Sequence, residues 1–253
     1  RYGLARIYGY GIGVPKNPEQ RLYWLGKAAA RGYPQAQNDL AGQLLRKGGA
    51  QNLAQAVQLF RLAAEQGLPI AQRNLADRLS NGVGGQPNVA EALKWWRRAA
   101  EQGDPKAQYS LALALYSGDG VDKDLPQAFQ WCRKAAIQGV VGAQNLLSIL
   151  YRYGLGCESD MAEGIRWCRV AAESGDAKAQ VNLGSLYEKG LGVEKDAKAA
   201  FGLYQSAAAA GDDDGQLAVA NAYRLGMGTS VDPVASARHY QLAAEQGNLV
   251  AQI

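Results

Sequence analysis

Apolar residues recur along the chain at the spacing of one face of an α-helix. Counted from a Gln that returns in every copy, large residues stand three and seven positions later, with a small residue at the fourth position. The third position holds Leu40, Leu75, Leu111, Leu147, Leu183 and Val219. Positions with these spacings share one helix face, so the pattern predicts a buried stripe on a first helix, helix A, in each copy.

The pattern returns at a fixed period. A Gly stands five residues before each recurring Gln, at Gly32, Gly67, Gly103, Gly139, Gly175, Gly211 and Gly247. The first interval between these glycines is 35 residues and the other five are 36. Each Gly follows an Ala pair by a few residues, and an Ala or Gly precedes each Gln. Seven copies in register predict a repeat protein.

Each copy also predicts a second helix, helix B. Gly-rich turns such as "GDGV" at 118–121 and "GLGV" at 190–193 end helix A, because Gly tolerates the left-handed conformation of a helix C-terminus. An Asn or Asp then predicts the N-cap of helix B. These residues are Asn17, Asn52, Asn88, Asp124, Asp160, Asp196 and Asp232. Eight residues before the closing Gly, helix B carries Trp24, Leu59, Trp95, Trp131, Trp167, Leu203 or His239.

These motifs resemble the Sel1-like repeat family, a relative of the tetratricopeptide repeats. The resemblance rests on the 36-residue period, on the segment from Ala92 to Gly103 and on the segment from Ala179 to Val193. It implies an all-α, right-handed superhelical solenoid of antiparallel helix pairs. The physics of stacking agrees, because one pair cannot bury its own stripe without neighbours.

A single array over residues 1–253 is therefore expected. The predicted repeats are 1–32, 33–67, 68–103, 104–139, 140–175, 176–211 and 212–247, with the start of another helix at 248–253. The chain opens on Arg1 inside a running pattern and stops part-way into a helix. We therefore expect it to be truncated at both ends.

Composition adds little to this picture. The net charge is +4, and Lys and Arg alternate with Asp and Glu without a basic block. This distribution argues against nucleic-acid binding and against an anionic-membrane role. No apolar run approaches the roughly 18 residues of a transmembrane helix, so this segment is not expected to insert into a membrane.

Candidate catalytic and metal-binding residues are few. His239 is the single histidine, so a catalytic or metal role lacks a second imidazole, and a packed helix residue is the expectation. Cys132 and Cys168 occupy equivalent positions about 10 Å apart by repeat geometry, which is too far for a disulfide. Asp212, Asp213 and Asp214 are typical of a solvated helix N-terminus. No catalytic residue, cofactor or metal site is predicted.

The informative positions are those that fail to repeat. Residues 143–154, "AQNLLSILYRYG", are apolar nearly all round the predicted helix. Either superhelical curvature buries the extra apolar residues, or they line a groove for a partner peptide. In the second case, the side-chain amides of asparagine residues can satisfy the hydrogen-bonding groups of the peptide backbone. The predicted partner-binding residues are Tyr109, Leu113, Asn145, Leu146, Ile149, Tyr153, Asn182 and Asn221.

The resemblance implies a non-enzymatic scaffold or adaptor that binds another protein or peptide on its concave face. An alternative is an envelope-associated assembly or regulatory module, serving polysaccharide export or receptor signalling. A third hypothesis, a lactam-binding or lactam-hydrolysing enzyme, is disfavoured because the chain lacks a Ser-x-x-Lys motif. The resemblance favours the bacterial periplasm or envelope as location, and the cytoplasm stays open as the alternative.

Overall fold

The computed structural model describes residues 1–251, and over those residues it contains fourteen α-helices and no strand. Odd-numbered helices are the predicted helix A and even-numbered helices are helix B. They span Tyr2–Tyr10 (α1), Pro18–Ala29 (α2), Pro34–Lys47 (α3), Ala50–Glu65 (α4), Pro69–Ser80 (α5), Val89–Glu101 (α6), Pro105–Ser117 (α7), Leu125–Ile137 (α8), Val141–Tyr153 (α9), Met161–Glu173 (α10), Ala177–Lys189 (α11), Ala197–Ala209 (α12), Asp213–Leu225 (α13) and Pro233–Glu245 (α14). The predicted all-α class is confirmed.

Two compact units make up the chain, Arg1–Asp124 and Leu125–Ile253. The first unit holds α1 to α7, and the second holds α8 to α14. Within each unit, every helix packs against the next one along the chain, and α11 also contacts α13. This neighbour-to-neighbour packing is that of a helical solenoid, in which each pair buries its apolar stripe against adjacent pairs.

The stripe predicted for helix A forms the core of both units. Its third position is almost fully buried at Leu75, Leu111, Leu147 and Val219. The small residue at the fourth position is also buried and lets another helix approach. At Gly184 a Cβ atom would lie 2.5 Å from a ring carbon of Tyr204, so the absence of a side chain makes room for that ring.

The position of helix B that is buried most regularly lies one residue after the position that holds Trp in four repeats. The residues eight before the closing Gly are mostly half-buried, whereas the next position is buried in six repeats: Leu25, Phe60, Trp96, Cys132, Cys168 and Tyr204. Cationic side chains cover the outer rings. The Lys134 ammonium lies 4.2 Å from the ring centroid of Trp131, and the Arg98 guanidinium lies 4.7 Å from that of Trp95. Apart from Trp95, which is itself buried, the residues of this slot lie at the border of the core.

Most predicted caps of helix B are confirmed, and one is wrong. The side chains of Asn17, Asn88, Asp160, Asp196 and Asp232 accept hydrogen bonds from backbone N–H groups of the first turn. Asn52 lies inside α4, which begins at Ala50 after the N-cap residue Gly49. The second repeat is one residue short, and Gly48 and Gly49 both adopt positive φ, so the helix starts early. Asn52 Nδ2 instead donates to the Gly48 carbonyl at 2.6 Å.

Replacing Asp196 by alanine is expected to lower the free energy of unfolding by about 1 kcal/mol, because the backbone N–H of Ala199 loses the side-chain acceptor at 2.9 Å. Equilibrium urea unfolding followed by circular dichroism measures this loss. Glu194→Ala, an exposed substitution in the preceding turn, is the control. Equal midpoints for the two variants would contradict the capping role.

The C-terminal end is described in part. Leu249, Val250 and Ala251 form a turn, and residues 252 and 253 of the predicted further helix lie outside the described residues. Within residues 1–251, no helix combines the length and the apolar character that a membrane crossing requires.

Candidate functional site

The predicted groove residues of α9 differ widely in exposure. Leu146 is 6% exposed and Leu150 is buried, so both belong to the core of the second unit. Ile149 is partly buried, and Tyr153 is 65% exposed at the last position of the helix. The Arg152 guanidinium lies 5.3 Å from the centroid of the Tyr153 ring. Among the predicted apolar residues of α9, the exposed surface is therefore limited to Ile149 and Tyr153.

Two of the predicted asparagines pair with each other on neighbouring repeats. Asn182 Nδ2 donates to Asn145 Oδ1 at 3.1 Å, and Asn145 Nδ2 donates to Asp176 Oδ1 at 3.2 Å. Each amide also has hydrogen-bonding atoms beyond these contacts. The pair forms a polar strip beside Ile149, where an extended backbone would find donors and acceptors.

Asn221 has a separate environment. Its Oδ1 accepts from the Tyr240 hydroxyl at 2.7 Å and from Arg224 Nη2 at 3.4 Å. The bond from Tyr240 joins α14 to α13, and the bond from Arg224 lies within α13. Asn221 is therefore engaged in its own helix pair.

In the first unit, the predicted residues Tyr109 and Leu113 lie on α7. Tyr109 is half-buried, and Leu113 is 38% exposed. Leu113 lines a cleft of about 730 Å³, which we name the α5–α7 cleft. Its lining residues are Asp77, Arg78, Ser80, Asn81, Val89, Trp96, Ser110, Leu113, Ala114, Ser117, Asp119 and Gly120.

A part-buried hydrogen bond joins two residues that line this cleft. Trp96 occupies the deep position of helix B in α6, and its Nε1 donates to Asp77 Oδ1 on α5 at 2.8 Å. Neither residue is among the predicted partner-binding residues, because their bond depends on packing between helices that the repeat pattern does not reveal.

The three cysteines are unpaired thiols. Burial raises the pKa of the Cys132 and Cys168 thiols, so the nucleophilic thiolate is disfavoured. Cys132 Sγ donates to the Ala143 carbonyl at 3.1 Å, and Cys168 Sγ donates to the Ala179 carbonyl at 3.5 Å. Both residues thus fill the core and link helix B to the following helix A.

His239 packs as a helix residue. Its ring stacks on Tyr223 with 6.0 Å between centroids, and burial lowers the pKa of its imidazole, with the Arg238 charge adding to this effect. Since the neutral form is favoured, His239 contributes packing at neutral pH.

The acidic run at the start of α13 has internal partners. Asp212, Asp213 and Asp214 bring carboxylate oxygens within 4.8 Å of one another. Asp212 caps the helix by accepting from the Gly215 N–H at 2.8 Å. Asn248 Nδ2 donates to Asp213 at 2.9 Å and to Asp214 at 3.2 Å. The cluster thus ties the residues after α14 to the first turn of α13.

A family model assigns the repeats directly. The Sel1 repeat model matches residues 1–33, 34–68, 69–104, 105–140, 141–176, 177–212 and 213–248. The chain belongs to the Sel1 repeat family. These boundaries lie one residue after those expected from the sequence pattern. Sel1 repeat proteins are generally protein-interaction scaffolds and typically lack enzymatic activity.

Solved structures of bacterial proteins share this fold. A protective antigen of uropathogenic Escherichia coli strains is 34% identical with a TM-score of 0.83, over 99% of this chain and 54% of that one. A Sel1 repeat protein of Oxalobacter formigenes is 30% identical with a TM-score of 0.80, over 99% and 73%. The Sel1 chain thus spans about half the length of the first relative.

A more distant structure resembles the Sel1 chain in fold alone. The immunity protein Pa5087 of Pseudomonas aeruginosa is 22% identical, with a TM-score of 0.54 over 81% of each chain. A comparison with curated protein sequences gives no match.

Proposed function

We propose that this Sel1 array is a non-enzymatic scaffold that binds a partner protein or peptide on the exposed faces of its helix A elements. The observation that carries the proposal is Tyr153. It is exposed at the end of α9, at a position that holds Lys189 in the next repeat, so the fold does not require an aromatic ring there. Exposed aromatic side chains are enriched at protein interfaces.

The neighbouring residues support the same surface. Ile149 adds apolar area one helical turn before Tyr153, and the Asn145–Asn182 pair supplies amide donors and acceptors. In the sixth repeat the corresponding residues are Ser185 and Lys189, so the apolar patch does not continue onto α11. An apolar patch with a polar edge is the usual anatomy of a binding surface.

The absence of enzymatic activity belongs to the same proposal. The buried thiols of Cys132 and Cys168 have raised pKa values, and Asp160, Asp176, Asp196 and Asp212 serve as helix caps. These roles are structural and support a binding function.

Changing Ile149 to Ser and Tyr153 to Ala is expected to abolish capture of specific partners by the immobilised chain from a lysate of the native host. Quantitative mass spectrometry of the bound proteins measures this loss. Ile137→Ser, an exposed apolar substitution on α8, is the matched control and is expected to retain them.

Stability must be measured on the same variants. Tyr153→Ala alone removes an exposed side chain, so its free energy of unfolding is expected to stay within about 0.5 kcal/mol of the parent. Unchanged capture by this folded variant would overturn the role of α9. Loss of capture in proportion to a falling melting temperature would assign these residues to stability.

A further inference from the structure

The α5–α7 cleft of the first unit is built at the C-terminal ends of two helices. Its walls come from the last turns of α5 and α7 and from the turn that follows α7, and its floor comes from Val89 and Trp96 of α6. The C-terminus of a helix carries a partial negative charge, because its last carbonyl groups lack intrahelical partners. The first residue of α6, Val89, also lines the cleft, and a helix N-terminus carries a partial positive charge, so the backbone of the cleft presents partial charges of both signs.

The acidic side chains of the cleft supply negative charge. Asp77 stands on α5 and Asp119 stands in the turn after α7. Asp77 Oδ1 accepts from the Trp96 indole at 2.8 Å, and Asp119 Oδ2 accepts from the Ser117 hydroxyl at 2.9 Å. A carboxylate accepts up to four hydrogen bonds, so both groups retain acceptor capacity towards the cleft.

Of the lining side chains that the structure describes, two carry a carboxylate and one, Arg78, carries a cation. Arg78 belongs to the last turn of α5, where a cation complements the helix end. One cation against two carboxylates leaves the lining side chains with an excess of one negative charge.

The apolar surface of the cleft adjoins these charges. Leu113 is exposed on α7, and the indole of Trp96 and the side chain of Val89 line the floor. Lys and Arg side chains bury a long apolar stem and keep a charged head near water or an anion. A small inorganic cation would use the carboxylates and leave this apolar wall unused.

We infer that the α5–α7 cleft receives a Lys or Arg side chain from a peptide segment of the partner protein, with an apolar residue of the same segment on Leu113. The stem packs on Leu113 and Trp96, and the charged head lies between Asp77 and Asp119. This inference rests on the proposed scaffold function and specifies the chemistry of the bound segment.

Selection of a random peptide library displayed on phage against the purified 253-residue chain provides the probe. The enriched peptides are expected to carry Lys or Arg next to an aliphatic or aromatic residue. Fluorescein-labelled synthetic copies then give dissociation constants by fluorescence anisotropy.

The decisive variant changes both Asp77 and Asp119 to Asn. Asn keeps an Oδ1 acceptor for the Trp96 indole and for the Ser117 hydroxyl, so the fold is retained while both charges are lost. The dissociation constant is expected to rise on the order of tenfold. Changing Asp122 to Asn and Glu101 to Gln removes two exposed carboxylates of the first unit outside the cleft, and binding is expected to stay within about twofold.

Two further readouts identify the charge contact. Raising the salt from about 50 to about 300 mM is expected to weaken binding to the parent chain more than binding to the Asp77→Asn, Asp119→Asn variant. Replacing the basic residue of the peptide by norleucine is expected to weaken binding to the parent chain and to leave binding to that variant unchanged. These results would support a direct contact between the basic head and the cleft.

The outcomes separate this inference from the scaffold proposal. If peptides bind but lack a basic residue, or bind the double Asn variant as well as the parent, the cleft is not a basic-side-chain site and the scaffold function stands. If selection enriches no peptide at all, this inference is overturned, whereas the scaffold proposal is decided by the capture experiment with the Ile149 and Tyr153 variants.

Discussion

Replacing Gly228 by alanine is expected to lower the free energy of unfolding by about 3 kcal/mol, whereas replacing Gly211 should cost only about 1–2 kcal/mol. Both glycines lie in the second unit and adopt positive φ, +70° at Gly228 and +85° at Gly211. The cost of forcing an L-residue into this conformation is therefore shared by the two variants. Any further loss of unfolding free energy in the Gly228 variant measures the effect of close packing around that residue.

The surroundings of the two glycines differ completely. A Cβ atom on Gly228 would overlap the carbonyl oxygen of Ala197 and would lie 2.5 Å from the carbonyl carbon, whereas no atom lies within 4 Å of the same position on Gly211. Ala197 begins α12, so the overlap is with the backbone of the preceding helix B. Backbone cannot rotate away as a side chain can, so the turn and the helix must separate.

Equilibrium urea unfolding followed by circular dichroism measures both variants, and a second pair repeats the comparison. A Cβ on Gly156 would overlap the Leu125 carbonyl oxygen, whereas Gly175 has open space and a φ of +86°. Gly156→Ala is expected to destabilise more than Gly175→Ala by about the same margin as in the first pair. Equal losses within each pair would show that positive φ alone makes these glycines necessary.

The turn illustrates what a sequence pattern can and cannot predict. The first glycine of "GMGT" at 226–229 caps α13 in the left-handed conformation, as the pattern predicts from local geometry. The requirement for glycine at position 228 comes from close packing against Ala197 of the preceding repeat, about 30 residues away in sequence. A helical period predicts which residues share a face, but it does not predict how closely two backbones approach.

The same limit applies to helix B. Its Trp residues are large and recur, yet the next position, which is buried in six repeats, holds residues as different as Phe60, Cys132 and Tyr204. The Cys168 thiol, for example, interacts with Ala179 of α11 and with Ser148 of α9, so burial of this position depends on tertiary geometry. The regular helix A stripe was predictable, because there the same residue type recurs.

The exposure of the predicted partner-binding residues agrees with the binding hypothesis only in part, and their role in binding stays a prediction. Leu113 and Tyr153 are exposed as the binding hypothesis requires, because they stand where a repeat does not demand an apolar residue. Leu146 is buried, in contrast to the prediction. The sequence shows which residues share a helix face, but it does not show how far round the helix the packed region extends. The α5–α7 cleft depends on contacts among three helices, and its Asp77–Trp96 bond was beyond reach of the repeat pattern.

The recurring Gln of helix A has a role that the sequence does not reveal. In five repeats its Nε2 donates to the helix B carbonyl eight residues earlier, as Gln72 does to Ala64 at 3.2 Å. Its Oε1 accepts from a second Gln that precedes the next closing Gly. These pairs are Gln66 to Gln37 at 2.8 Å, Gln102 to Gln72 at 2.7 Å and Gln246 to Gln216 at 2.6 Å.

Two repeats of the second unit lack the second Gln. Ser174 and Ala210 stand at that position, and the buried Oε1 atoms of Gln144 and Gln180 have no partner among the described residues. Ser174 Oγ donates to the Val170 carbonyl at 2.8 Å, so its shorter side chain is used within its own helix. A buried acceptor without a donor costs free energy, which makes these two sites targets for stabilisation.

Gln102→Ala is expected to lower the free energy of unfolding by about 1–3 kcal/mol, because it leaves the Gln72 Oε1 buried and without its donor. Glu101→Gln, an exposed change at the preceding position, is the control and is expected to stay within about 0.5 kcal/mol of the parent. The same urea titration measures both. A loss no larger than that of the control would remove the Gln pair from the account of stability.

The converse substitution, Ala210→Gln, is expected to raise the free energy of unfolding by about 1 kcal/mol, because its amide reaches the Gln180 Oε1 as Gln246 reaches Gln216. Ala209→Gln adds the same atoms at an exposed position and serves as the control. In a Gln180→Ala background the gain should vanish, since the acceptor is gone. A gain that persists there would have to come from helix propensity at the C-terminus of α12. Its disappearance would show that bonds between repeats, which the period alone does not reveal, help to hold the array together.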